Sequence, residues 1–102
     1  MSKKKYNINF IPETAKDIEK AKEWYNLQNE NLGDEFVDEV EKTLEGIQNN
    51  PCQYAEKYKK MRQAKTDRFP YLISYIIEKL EIIVLSVLHW SRNPKEFNKR
   101  YK

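Results

Sequence analysis

Cysteine, histidine and glycine are nearly missing from this chain of 102 residues, which has one, one and two of them. A single cysteine, Cys52, excludes an internal disulfide, and with His89 as the one histidine no zinc-type ligand set is available. Neither a metal nor another cofactor is expected. Cys52 follows Pro51 at a helix end and is expected to be a buried filler, because nothing near it in the chain would activate a thiolate. Long apolar runs are missing too. The start, MSKKKYNINF, is basic but is followed by no apolar signal region, and no segment is long enough to span a bilayer. A cytoplasmic protein with no membrane partner is therefore expected. There are no repeats, low-complexity stretches or interior linkers, so residues 1–102 read as one domain.

Charge is abundant, at 34% of residues, and aromatics make up 13%. That composition suits a folded chain rather than a disordered one. The formal charge of +3 says little by itself. Its distribution says more: residues 12–49 carry eleven acids and four lysines, while the remainder carries fifteen bases and five acids. An acidic helical side and a basic working side follow from that asymmetry, which suits an anionic or acidic partner.

Periodicity supplies the elements. Tyr6, Ile8 and Phe10 alternate with Asn7 and Asn9, as in a half-buried strand. Pro12 sits where a helix can start without losing an amide hydrogen bond, and Glu13 and Asp17 favour the same end through the helix dipole. Ile18, Ala21, Trp24 or Tyr25, and Gln28 follow helical spacing, and Asn29 to Gly33 breaks the helix. Asp34 is placed to cap a second helix, with Phe36, Val37, Val40, Leu44 and Ile47 as its apolar stripe. Asn49-Asn50-Pro51 ends it. The short connection makes the two helices an antiparallel hairpin that needs a sheet to cover. Lys60 to Thr66 reads as a faint basic strand; Lys57, Lys59 and Lys60 read as a solvated loop. Tyr71 to Ile77 and Ile82 to His89 are rich in β-branched and aromatic residues and read as strands. The turn between them, within Glu78-Lys79-Leu80-Glu81, has neither glycine nor asparagine, so a loop longer than two residues is expected. Asn93-Pro94 stops the last strand, and a short polar tail follows. The order is β-α-α-β-β-β: an α+β domain with a helix hairpin on one face of a small, mostly antiparallel sheet.

Several phrases resemble the RelE/ParE family of bacterial toxins in the same order. They are Ile18–Tyr25 (IEKAKEWY), Leu32-Gly33-Asp34-Glu35-Phe36, Ile47–Tyr54 (IQNNPCQY), Arg62 followed by Phe69-Pro70-Tyr71 with Ile73 and Tyr75, and Val84–Pro94 ending in His and then Arg-Asn-Pro. The resemblance covers nearly the whole chain. It implies the toxin of a type II toxin–antitoxin (plasmid stabilisation) system, neutralised by a cognate antitoxin that wraps the groove between helices and sheet and the basic rim. Self-association into a homodimer is a further expectation, since an unmatched toxin exposes apolar surface. The family has two activities. RelE-like members cleave mRNA in the ribosomal A site; ParE-like members poison DNA gyrase.

The available chemistry bears on that choice. Ribose-assisted RNA cleavage needs a base for the 2′-hydroxyl, cations for the phosphate and an acid for the leaving oxygen. His89 would be the acid or base, and Arg62, Lys65 and Arg68 would hold the phosphate. The ending favours the other branch. RelE-like toxins often carry a functional tyrosine shortly after the position of His89, whereas Trp90, Ser91, Arg92 and Asn93 follow here. The ParE-like reading makes Arg62, Trp90 and Arg92 the target-binding residues. Bland roles stand beside these. His89 would be a strand-end residue bonded to backbone. Arg62 would pair with a helical carboxylate, Glu39 or Asp38. Tyr71, Tyr75, Trp24 and Tyr25 would be packing residues.

Overall fold

The computed structural model describes residues 6–91. Its elements are β1 (Asn7–Phe10), α1 (Pro12–Gln28), α2 (Leu32–Asn49), a 3-10 turn (Pro51–Gln53), β2 (Glu56–Tyr58), β3 (Met61–Lys65), β4 (Tyr71–Glu78) and β5 (Glu81–His89). The five strands form one mixed sheet in the order β1-β5-β4-β3-β2. Only β1 and β5 run parallel; the other neighbours are antiparallel. The parallel pair requires a crossover, and the helix hairpin supplies it. This is the α+β arrangement expected from the chain, with one strand more. None of the described helices is long and apolar enough to cross a membrane.

Pro12 occupies the first turn of α1, as its missing N–H allows. Two side chains then lock α1 onto β5. The Thr14 hydroxyl donates to the Val84 carbonyl at 2.7 Å, and Asp17 Oδ2 accepts the Val87 amide at 3.1 Å. Both contacts flank a bulge, where Ser74 faces Ser86 but Tyr75 faces Val84, leaving Leu85 as the extra residue. The bulge puts Val84 and Val87 together under the helices, while Leu85 and Leu88 join Met61 in a smaller cluster with Ile11, Ile76 and Ile83. The α2 stripe of Phe36, Val40, Leu44 and Ile47 is buried against Ile73, Tyr75, Ile82 and Val84.

Five local expectations are corrected. Asn31, at φ 70°, is the residue before α2, so Asp34 lies in the first turn and pairs with Lys22 at 3.7 Å instead of capping. Asparagine tolerates that left-handed conformation better than most residues. Trp24 is 56% exposed; its neighbour Tyr25 is the one that packs on the sheet side. Cys52 is exposed, and Pro51 is the buried residue of that turn. Lys57 lies on the short edge strand β2, whose residues are all exposed. The β4–β5 connection is a two-residue turn after all, because Glu78 pairs with Glu81 and Lys79 adopts φ 58°. The ending at Asn93-Pro94 and the polar tail lie outside the described residues.

Gly33 marks the tightest point of the helix hairpin. A Cβ there would stand 2.3 Å from the Lys22 carbonyl and 2.6 Å from Asn26 Oδ1, which accepts the Gly33 amide at 2.7 Å. Gly33→Ala is therefore expected to push the helices apart and cost about 1–3 kcal/mol. Gly46→Ala, with no atom within 4 Å of its added Cβ, is expected to leave the melting temperature unchanged or raise it. Equal melting temperatures for wild type and Gly33→Ala would refute this account of the hairpin.

Candidate functional site

The loop from Thr66 to Pro70 brings the end of the sheet onto α2. The Thr66 hydroxyl donates to the Phe69 carbonyl, and the Thr66 amide reaches the Tyr71 carbonyl at 3.0 Å. Glu39 Oε2 accepts the Asp67 amide at 3.0 Å, and Arg68 pairs with Glu35 at 2.8 Å. The acidic helix and the basic rim thus meet at this loop. Arg68 also lies over the Phe69 ring, 5.0 Å from its centroid. Phe69 is buried against Tyr25 and Phe36, so the loop is held by packing as well as by charge.

His89 ends β5 directly across from Tyr71. The Trp90 amide donates to the Pro70 carbonyl at 2.8 Å, which fixes the exit of the strand beside the loop. The imidazole meets Tyr71 edge-on at 5.6 Å and stacks with Trp90 at 6.1 Å. The Ser91 amide donates to His89 Nδ1 at 3.2 Å, and the Ser91 hydroxyl lies 2.7 Å from the same nitrogen. An amide N–H can only donate, so Nδ1 is the acceptor in that bond. Rings continue from Trp90 through His89, Tyr71 and Tyr25 to Trp24. Trp90 is 61% exposed, and with Trp24 it gives this end of the molecule an open aromatic surface.

Arg62 has a different setting. It faces Tyr75 across the β3–β4 ladder, four residues along β4 from Tyr71, or about 13 Å by strand rise. Its guanidinium donates to the Tyr54 carbonyl at 2.5 Å and to the Cys52 carbonyl at 3.5 Å, and it pairs with Glu56 at 3.5 Å. The carboxylate is therefore that of Glu56, not Glu39 or Asp38. The Tyr75 hydroxyl donates to the Pro51 carbonyl at 2.6 Å. Burial pushes the Tyr75 phenol up to about 12, against the pull of the Arg62 charge, which lowers it. Arg62 and Tyr75 together tie the connector after α2 to the sheet.

Of the residues singled out in the sequence, Arg68, His89 and Trp90 share one end of the sheet. Lys65 is exposed at the end of β3, and strand alternation puts it on the opposite face from Arg62. Arg92 lies outside the described residues. Ser91 and Glu35 were given no role, and Glu39 was named only as a partner for Arg62. A serine two residues after a strand-end histidine is a local hydrogen-bonding signal, but the helical acids reach the loop only through the fold.

Comparison with solved structures gives the class. A chain from a structure titled "Chromosomal ParDE TA system from P. aeruginosa" superposes with a TM-score of 0.74 at 15% identity, covering 82% of this chain and 95% of that one. A double-arginine mutant of E. coli toxin RelE in the free state superposes at 0.66 and 16% identity, covering 95% and 94%. At such identities the likeness is one of fold, and the fold is that of RelE/ParE toxins. Residues 8–94 also match the family described as the ParE toxin of the type II toxin–antitoxin system parDE. The chain belongs to that ParE toxin family. A comparison with curated proteins gives no match.

Proposed function

We propose that this ParE-family toxin disables DNA gyrase by binding it, with no bond-breaking step of its own, and that a cognate antitoxin restrains it in the cytoplasm as part of a plasmid-stabilising pair. The observation that carries this reading is the state of His89. A general base must offer a lone pair to the proton it removes. Here the lone pair of Nδ1 already accepts the Ser91 amide, which takes that nitrogen out of base work. Of the three residues suited to phosphate work, Arg62 is engaged by backbone carbonyls and Glu56, Arg68 is paired with Glu35, and Lys65 lies on the opposite face of β3 from Arg62. Open at this end are Trp90 and Trp24, aromatics of the kind that anchor protein–protein contacts.

A purified supercoiling assay tests the proposal. Inhibition is expected from the wild-type protein. Trp90→Ala is expected to weaken it by about thirtyfold, the equivalent of a 2 kcal/mol anchor. Arg92→Ala should weaken it as well, and His89→Ala should change it by about twofold at most, since this reading assigns the imidazole no proton transfer. Unimpeded supercoiling at saturating protein would defeat the proposal. Transcript cleavage that needs ribosomes and vanishes in His89→Ala would establish the RelE-like nuclease in its place.

A further inference from the structure

The opposite end of the sheet carries an anomaly that the aromatic end does not explain. Three residues other than glycine have positive φ among the described residues: Asn31, Lys59 at 52° and Lys79 at 58°. Asparagine suits that region; lysine does not. Both lysines are the first central residue of a two-residue hairpin turn, since Tyr58 pairs with Met61 and Glu78 with Glu81. Glycine or asparagine would relieve both turns. Strained backbone kept in two adjacent turns, with the same charged side chain in each, points to a use for the charge.

The two turns stand side by side. With the order β5-β4-β3-β2, their centres are two strand spacings apart, about 10 Å. Lys60 of one turn and Lys79 of the other line a common open cleft of about 830 Å³, with Asn7 and the exposed Leu80. Lys59 lies over the Tyr58 ring at 5.4 Å, and Lys57 precedes it on the edge strand. Glu78 and Glu81 also line the cleft and face each other across the ladder as a like-charge pair.

We infer that this turn end is a second binding surface, which holds the phosphate backbone of double-stranded DNA through Lys59, Lys60 and Lys79. The spacing of the turns is on the scale of the duplex major groove, about 12 Å wide. The choice of DNA over another polyanion rests on the reading of gyrase as the target, because a toxin acting on that enzyme meets it with duplex bound. Contacts of this kind read charge and not sequence.

The test is fluorescence anisotropy of the full chain with a labelled duplex of about 20 base pairs, titrated between about 50 and 200 mM salt and without gyrase. Lys59→Gly/Lys79→Gly is expected to weaken binding about tenfold, lower the salt slope by about two, and hold or raise the melting temperature. Lys16→Gln/Lys20→Gln, which removes the same charge from α1, is expected to leave affinity within about twofold. Glu81→Gln is expected to tighten it. Wild-type binding by the glycine pair, an equal loss in the α1 pair, or an unlabelled RNA duplex competing better than DNA would each overturn the inference. Gyrase is absent from this assay, so a failure of gyrase inhibition is read separately from a failure of DNA binding.

Discussion

Replacing Phe36 with alanine is expected to cost about 3–5 kcal/mol, a large share of the 5–15 kcal/mol that stabilises a typical domain. Phe36 has no exposed surface and sits among Tyr25, Phe69 and Tyr71, with ring centroids 4.8–5.4 Å away. Its loss would open a cavity where the hairpin, the Thr66–Pro70 loop and β4 meet. Phe69 would lose one of its two edge-on partners, and Tyr71, which meets His89 edge-on, would lose the ring 4.8 Å from its own. The damage therefore reaches the aromatic end although Phe36 touches no target. Chemical denaturation should show a lower midpoint with an unchanged slope, and Phe36→Leu should recover most of the difference. A loss below about 1 kcal/mol would mean that the helices are held by something other than this cluster.

Arg62→Ala is expected to have the second largest effect, about 2–3 kcal/mol, because charge-assisted bonds to partly buried carbonyls are lost together. The Tyr54 and Cys52 carbonyls would lose their donor, and Glu56 would lose its cation. Arg62→Lys should recover little, since one ammonium cannot span those acceptors as a planar fork does. Any loss of gyrase inhibition in Arg62→Ala should then follow the folded fraction. Tyr75 gives the same staple a pH signature. Its folded-state pKa, about 12, lies above the ordinary 10.0, so folding favours the protonated phenol. The resulting stability is complete below pH about 10 and is lost as pH rises toward 12. Tyr75→Phe should flatten that alkaline decline. A decline of undiminished size in Tyr75→Phe would place its origin elsewhere.

The parts of this architecture that were legible in the sequence are those whose burial leaves a period. Phe36, Val40, Leu44 and Ile47 mark one face of a helix, and the β-branched and aromatic runs of β4 and β5, interrupted by Ser74 and Ser86, mark largely buried strands. β2 left no trace because Glu56, Lys57 and Tyr58 are all exposed, so nothing alternates. The β4–β5 turn was hidden because its positive φ falls on lysine, where turn chemistry predicts glycine or asparagine. Trp24 and Tyr25 differ by one step of 100° around α1, and hydrophobicity alone does not choose between them. At the site, the position of His89 at a strand end was readable. The bond from Ser91 was not, nor was the occupation of Arg62, since backbone carbonyls carry no residue signature. The bulge at Leu85 was equally silent, although it sets which valines face the helices.

The central claim is a ParE-family toxin whose effect comes from occupying gyrase and not from cutting RNA. Induction of the chain in antitoxin-free cells, with plasmid superhelicity and messenger integrity followed in the same samples, tests it most directly. The account predicts relaxed or broken plasmid with intact messengers, and relief by Trp90→Ala. Messengers cut within translated codons while plasmid superhelicity stays normal would contradict it.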